Sequence, residues 1–230
     1  HEIERLSGKP VMAVIKANAY GHGLIPVGQA ALTAGCPFLA VARFAEAMEL
    51  RLAGITAPIL VLGPINPGDA EQAARENIRG ALFNDEQISA YEEVLRGTAK
   101  PFPVHIKVDS GMGRLGVYAE DGLSLIKRAM QSKVLTVEGL FSHFSKADMP
   151  RDNATSLQFS RFDRLVREAE KNGMRPGIVH LANSAGALFH PEICKYDLVR
   201  GGIAMYGLDP SDEAPLPEEF CPALSWKARI

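Results

Sequence analysis

Short apolar, β-branched runs recur along the chain, and most are followed by a stretch with apolar positions at helical spacing. The runs fall at residues 11–15, 38–41, 59–62, 78–83, 104–108, 134–141 and 178–181, with a last one centred on Leu198-Val199. Runs of this length, mostly apolar, read as parallel strands covered on both faces. The spacing predicts helices over about 24–34, 44–53 (with Glu46, Glu49 and Arg51 as solvent-side charges), 120–131, 153–171 and 184–189. One more ends near Gly97, and a helix-like stretch at 1–6 precedes the first strand. In the longest, Phe162, Leu165, Val166 and Ala169 fall at i, i+3, i+4 and i+7, and Gly173 stops it. Pro67 suits a first helical turn, and Asn84 or Asp85 caps the next helix.

Eight strand–helix units with crossovers of ordinary length predict an α/β fold, a (β/α)8 barrel of the TIM type. The competing arrangement is an open doubly wound sheet. The barrel is preferred because unusual polar residues follow strands one, five, six, seven and eight. A barrel gathers all those ends at one mouth, whereas an open sheet spreads them out.

Composition narrows the function classes. At 230 residues, with 47% hydrophobic and 23% charged residues, the chain is an ordinary globular protein. A net charge of −2 without like-charge blocks gives no reason to expect nucleic acid or a membrane surface as partner. Cys36, Cys194 and Cys221 are odd in number and widely spaced. They read as reduced thiols of a cytoplasmic protein. The six histidines lack metal-ligand spacing, and no metal is expected; His22, His105 and His190 read as structural hydrogen-bonders.

The candidate chemistry sits at the strand ends. Lys16 closes the first strand, Tyr20 follows four residues on, and Gly21 and Gly23 free the backbone to turn into a helix. A lysine there either snorkels to the rim or serves as a Schiff-base lysine, desolvated enough to attack a carbonyl. Strand seven leads into Leu181-Ala182-Asn183-Ser184, and strand eight into Arg200-Gly201-Gly202-Ile203. Glycine amides, a hydroxyl and a short helix's N-terminus favour an anion, and barrels commonly hold phosphate at these two loops. The alternative is a plain turn with Ser184 as a helix cap. After strand five, G-M-G-R-L-G fits the dinucleotide pattern G-x-G-x-x-G, with Glu138 about 20 residues on. Its place as the fifth of eight units argues against that reading.

Several of these stretches resemble one family. A-V-I-K-A-N-A-Y-G-H-G, eleven consecutive residues from Ala13, is similar to the pyridoxal 5′-phosphate (PLP) attachment motif of bacterial alanine racemases. K-V-D-S-G-M-G-R-L-G, H-L-A-N-S-A-G and L-V-R-G-G-I-A-M-Y-G-L are similar to further segments of that family. The resemblance implies interconversion of L- and D-alanine on a fold-type-III barrel in the cytoplasm, supplying a peptidoglycan precursor. It makes Lys16 the lysine that holds PLP and then acts as base. Tyr20, Ser184, Gly202 and Ile203 would hold the phosphate, with Asn183 beside them. Arg200 would meet the pyridine nitrogen; a donor-only guanidinium keeps that nitrogen unprotonated, which disfavours transamination. His180 would orient Arg200, and His143 would lie beside the ring. Arg114 would bond the cofactor's phenolic oxygen and the substrate carboxylate, and Lys107, often carbamylated in the family, would orient Arg114.

The family also carries a C-terminal β domain that supplies a tyrosine as second acid–base, reaching across a homodimer with shared active sites. The chain opens at His1 in a helix-like stretch and runs to Ile230 through L-S-W-K-A-R-I, which reads as the start of a strand. The expectation is therefore a PLP-binding barrel over 1–208. A linker carrying four prolines and the beginning of that β domain would follow over 209–230. Such a segment alone is expected to bind PLP weakly and to racemise alanine negligibly. The alternative kept beside this is a single-barrel PLP-binding homeostasis protein. A decarboxylase of the same barrel class and a non-enzymatic binding barrel are further classes.

Overall fold

The computed structural model describes residues 1–229. Eight parallel strands form a nearly closed ring: β1 (Val11–Val14), β2 (Phe38–Val41), β3 (Ile59–Val61), β4 (Ile78–Leu82), β5 (Phe102–Asp109), β7 (Leu135–Phe141), β8 (Ile178–His180) and β9 (Val199–Gly201). The two-residue β6 (Val117–Tyr118) lies off the ring, parallel to the end of β5. Neighbours run in the order β8-β7-β5-β4-β3-β2-β1-β9. First and last strands meet at Val11 and Val199, and a lone parallel bridge from His180 to Leu198 completes the circle. That closure excludes the open sheet. The helices are α1 (Glu2–Ser7), α2 (Lys16–Tyr20), α3 (Leu24–Thr33), α4 (Phe44–Leu52), α5 (Ala70–Arg75), α6 (Asp85–Val94), α7 (Gly122–Gln131), α8 (Ala154–Lys171) and α9 (Ser184–Phe189).

Closure divides every strand by parity, because successive side chains point to opposite faces. Ala13, Ile15, Leu39, Val41, Ile59 and Val61 point outward into one large cluster with helix residues such as Leu24, Leu50, Ile88 and Phe162. Met12, Val14, Phe38, Ala40, Leu60 and Leu198 pack together inside the ring. Arg79, His105, Lys107, Asp109, His180 and Arg200 share the inward parity, and all six are buried. The interior is thus apolar on the side of β1 to β3 and polar on the side of β5, β8 and β9.

One irregularity serves this arrangement. β7 carries an extra residue opposite the Val104–His105 step, so Val104 pairs with Val137 but His105 pairs with Gly139. The bulged residue, Glu138, turns to Arg79, 2.8 Å from its Nε. Glu138 is therefore part of an ion pair with β4, not the ribose-binding acid of a dinucleotide site. Gly139 meanwhile lies under the His105 ring, where a Cβ would collide with Nδ1.

The expected helix and strand bounds hold to within three residues, and the strand expected near the C-terminus does not form. Residues 224–229 carry no regular secondary structure, while Ile230 lies outside the described residues. A strand needs a neighbour to take its backbone hydrogen bonds, and among the described residues none lies beside this segment. Ahead of it, Ala223 N–H donates to Tyr206 O at 3.0 Å, and Ser211 Oγ donates to Asp148 O at 2.7 Å. These bonds fasten the proline-rich stretch to the mouth of the barrel.

The helix shell should carry much of the stability. Phe162 of α8 is fully buried and meets Tyr196 edge-on, with ring centroids 5.4 Å apart. Phe162→Ala is expected to cost about 3–5 kcal/mol, read from urea unfolding; a loss below about 1 kcal/mol would be too small for a sealed core site.

Candidate active site

The carboxyl ends of the strands surround a cavity of about 440 Å³. Lys16, Tyr20, Lys107, Arg114, His143, Asn183, Ser184, Arg200, Gly202 and Ile203 all line it. His180 does not; it stands behind Arg200 in the barrel interior, fully buried. The spacing of these residues in sequence, from 16 to 203, is brought to one mouth by the ring closure.

Lys16 and Tyr20 reach the cavity through an unusual backbone. Ala17, Asn18, Ala19 and Tyr20 have φ between 53° and 56°, one left-handed helical turn built without glycine. Such a conformation costs roughly 1–2 kcal/mol per residue. It is held by bonds from outside and within. Glu46 of α4, buried, accepts from Ala17 N–H at 2.6 Å with one oxygen and from Ala42 and Arg43 N–H with the other. Asn18 Oδ1 accepts from Leu24 N–H at 2.8 Å, fastening the turn to α3. The sequence reading placed the freedom of this turn in Gly21 and Gly23; the four residues before them carry most of it.

Opposite, the glycine-rich block after β5 wraps one carboxylate. Asp109 accepts from the amides of Gly111 and Met112 with Oδ1 and of Gly113 and Arg114 with Oδ2, at 2.8 to 3.2 Å. A nest of amides that could cradle a pyrophosphate is filled by the chain's own side chain, a second reason to set the dinucleotide reading aside.

Asn183, not Ser184, caps α9, its Oδ1 accepting from Gly186 N–H at 3.0 Å. Ser184 Oγ instead accepts from Gly202 N–H at 2.9 Å and more weakly from Ala204 N–H. Gly202 faces Tyr20: a Cβ there would come within 3.0 Å of the Tyr20 hydroxyl and 3.8 Å of Ser184 Oγ. Tyr20, Ser184 and Gly202 therefore form one small polar cradle that any side chain at 202 would obstruct.

Arg200 is the most constrained group. Its Nη1 donates to His180 Nδ1 at 2.8 Å, and its Nη2 donates to Ser142 O, Leu181 O and His143 Nδ1 at 2.7 to 3.0 Å. Its Nε–H has no acceptor among the described residues, which leaves that donor for a ligand. Because a guanidinium only donates, both His143 and His180 must present a bare Nδ1. Burial and the neighbouring Arg200 hold both histidines neutral, well below the usual imidazole range.

Charge is the feature that decides what the cavity can hold. Four cationic side chains, Lys16, Lys107, Arg114 and Arg200, line it, against one carboxylate, Asp148. The two nearest other acids, Glu46 and Asp109, are occupied by backbone amides. Burial, then the Arg114 charge, lowers the Lys16 pKa and so raises its share of nucleophilic amine. Burial and Arg200 lower Lys107 further, to about 7, and its Nζ donates to Val108 O at 2.9 Å. Such a site suits a ligand with more than one anionic group, one of them seated on the Tyr20–Ser184–Gly202 cradle.

Sequence reasoning passes over Asp109 and Gln158, and it places Glu46 on the solvent side of its helix, whereas the three amides it accepts from draw it into a buried position. Glu46 and Asp109 shape the loops, and Gln158 of α8 fixes the loop of His143 by accepting from Ser145 N–H at 2.9 Å and donating to the His143 carbonyl at 3.1 Å. Only Asp109 carried a local signal, an aspartate followed by glycines at the end of a strand. His105, read as structural, joins the histidine pair behind Arg200.

Comparison with known proteins gives a consistent picture. The family described as "Alanine racemase, N-terminal domain" matches residues 2–210. An alanine racemase of Symbiobacterium thermophilum is 44% identical over 99% of this chain, which spans 60% of that relative. A crystal structure of alanine racemase from Bacillus anthracis with bound L-Ala-P superposes with a TM-score of 0.89 at 38% identity, covering 96% of this chain and 58% of that one. A histidine racemase from Leuconostoc mesenteroides superposes equally well, TM-score 0.89 at 33% identity, over 96% of this chain and 59% of that one. The chain thus spans about 60% of the length of the curated relatives it matches.

The depressed Lys107 pKa makes a prediction about pH. Between about 7 and its ordinary value of 10.5, the unfolded chain holds a proton on Lys107 that the folded chain has released. Stability should therefore rise with pH through that window and show no Lys107 slope below it. In bicarbonate-free buffer, the stability of wild type minus that of Lys107→Met should climb above pH 7, measured by urea unfolding at a series of pH values. A flat difference would mean that Lys107 keeps an ordinary pKa.

Proposed function

The chain belongs to the alanine racemase N-terminal domain family, and from this we propose that it is the PLP-holding barrel of an enzyme that interconverts L- and D-alanine. The observation that carries the reading is the basic mouth: two arginines and two lysines around a three-group polar cradle, with both amines drawn down in pKa. PLP has the matching parts. Its phosphate fits the cradle, its aldehyde answers the Lys16 amine, and its ring nitrogen can accept the spare Nε–H of Arg200.

When bound, the cofactor withdraws electrons from the substrate and so acidifies the Cα–H. The chain's own residues do the rest. Lys16 Nζ anchors the cofactor, then takes or returns the proton on one face of Cα. Arg114 binds the substrate carboxylate, its guanidinium making no hydrogen bond or ion pair among the described residues. Tyr20, Ser184, Gly202 and Ile203 hold the phosphate, with Asn183 setting the loop. Arg200 supplies only donors, so the ring nitrogen stays unprotonated and protonation on the cofactor is disfavoured. His143, neutral, packs beside the ring. The neutral fraction of Lys107 near pH 7 is competent to take up carbon dioxide, and as the resulting carbamate, an anion, Lys107 would orient Arg114.

Racemisation needs a second acid–base on the opposite face. Tyr20 is the one tyrosine lining the cavity among the described residues, and its place is in the phosphate cradle. We assign the second role to a tyrosine of the family's C-terminal β domain, supplied by the partner in a homodimer, with residues 209–230 as the linker towards that domain. Among the described residues no helix is long and apolar enough to cross a membrane, and Cys36, Cys194 and Cys221 are free thiols. Both accord with an enzyme of the cytoplasm. Alanine is favoured as substrate by the relatives' names; the histidine racemase of the same fold makes substrate choice a point for measurement.

Two experiments test this. Borohydride reduction of the PLP-loaded protein followed by peptide mapping should find the pyridoxyl group on Lys16, and Lys16→Ala should lose the visible absorbance band. An adduct on another lysine would overturn the assignment. In deuterated water, residues 1–230 with PLP should exchange the Cα proton of one alanine enantiomer faster than they racemise it, with alanine preferred over serine and histidine. Racemisation as fast as exchange would show that both faces are served within this chain.

A further inference from the structure

Behind Arg200 the barrel interior holds a row of two buried histidines, His180 and then His105, and nothing said so far gives His105 a part in the function proposed above. We propose that His105 is a positioning residue for Arg200, acting through His180 by fixing which nitrogen of that ring faces the guanidinium. The inference rests on the proposed function only for its consequence at the cofactor; the row itself is independent of any ligand.

The proton positions follow from one donor-only group. Arg200 Nη1 lies 2.8 Å from His180 Nδ1 and can only donate, so Nδ1 is bare and the His180 proton is on Nε2. His180 Nε2 lies 3.0 Å from His105 Nδ1, so it donates, and His105 Nδ1 is bare in turn. The His105 proton is then on Nε2, which is sealed from solvent and has no partner among the described residues. Such an orphan ordinarily costs about 1–3 kcal/mol, and an apolar side chain would avoid it. Yet the site is built for this ring. Gly139, set there by the bulge in β7, is the residue that leaves room for Nδ1, and Phe38 packs at 6.0 Å on another side.

What the ring provides is an acceptor at Nδ1. Without one, His180 Nε2–H would be the orphan, and a turned ring would point an N–H at Arg200, donor against donor. Arg200 would then lose its Nη1 partner and sit less firmly at the cavity wall. Burial and the flanking Arg79 and Arg200 charges hold His105 neutral, its pKa near 3, so the row keeps its polarity across the working pH range.

The test uses the unloaded protein, so a failure of PLP binding leaves it unaffected. In ¹⁵N-histidine NMR, both rings should appear as neutral Nε2–H tautomers, with a nitrogen–nitrogen coupling across the His180–His105 hydrogen bond. His105→Phe, similar in shape but without an acceptor, should keep its melting temperature within a few degrees. Its Arg200 guanidinium protons should exchange about tenfold faster, the size of one lost hydrogen bond. His105→Gln, which restores an acceptor, should bring exchange back to the wild-type rate. Absence of the coupling in wild type overturns the proposal even should His105→Phe fail to fold. So does a folded His105→Phe whose Arg200 exchange is unchanged.

Discussion

The structure depends on ring closure. Once eight parallel strands meet end to end, every second residue on each is sealed inside, and a polar group there must find its partners inside as well. β1 to β3 answer with apolar side chains, while β5, β8 and β9 place His105, Lys107, Asp109, His180 and Arg200 inside. Each of those groups finds a neighbour: Asp109 holds loop amides, Lys107 a carbonyl, and the two histidines lead to one guanidinium at the mouth. The site is in this sense the upper end of a polar column rather than a set of residues laid on a rim.

Closure also sets the sign of the cavity. Four basic side chains converge because the ends of β1, β5 and β9 converge. The carboxylates that might neutralise them, Glu46 and Asp109, are engaged by seven backbone amides between them. These acids thus do two things. They hold strained or open loops in place, and by facing the backbone they leave the field of the lysines and arginines uncancelled for an anionic ligand. A carboxylate that instead reached Arg114 or Lys16 would compete with substrate.

Much of this was legible because the signals are local. Apolar runs of strand length alternate with helical periodicity, which names an α/β fold, and the polar residues after five of the strands favour the barrel over an open sheet. Lys16, Arg114, Ser184 and Arg200 announce themselves as charged or hydroxyl residues at or just after strand ends, and the match to family motifs suggests the roles proposed for them. The rest depends on pairs far apart in sequence. Ala17 and Ala19 have no intrinsic reason to adopt positive φ; the acceptor that supports the turn is Glu46, 29 residues from Ala17. His105 looks like an isolated histidine on a strand because its partner is 75 residues away. The Glu138 bulge is invisible until β7 is paired with β5. The strand expected at the C-terminal end shows the opposite limit: a β pattern describes what a segment would do beside a neighbour, and no neighbour stands among the described residues.

The two devices, left-handed turn and histidine row, answer the same demand from opposite sides of the cavity. In the role proposed for it Lys16 moves a proton from a defined starting place, and its backbone is locked while its side chain has no ion pair among the described residues. Arg200, in its proposed role, keeps a donor fixed against whatever lies over it. Its Nη atoms are therefore given four acceptors, two of them imidazole nitrogens. A carboxylate in their place would bind the guanidinium more strongly but bring a negative charge beside the ligand. Neutral histidines give direction without charge, which is why a row of rings, and not an acid, stands behind the arginine.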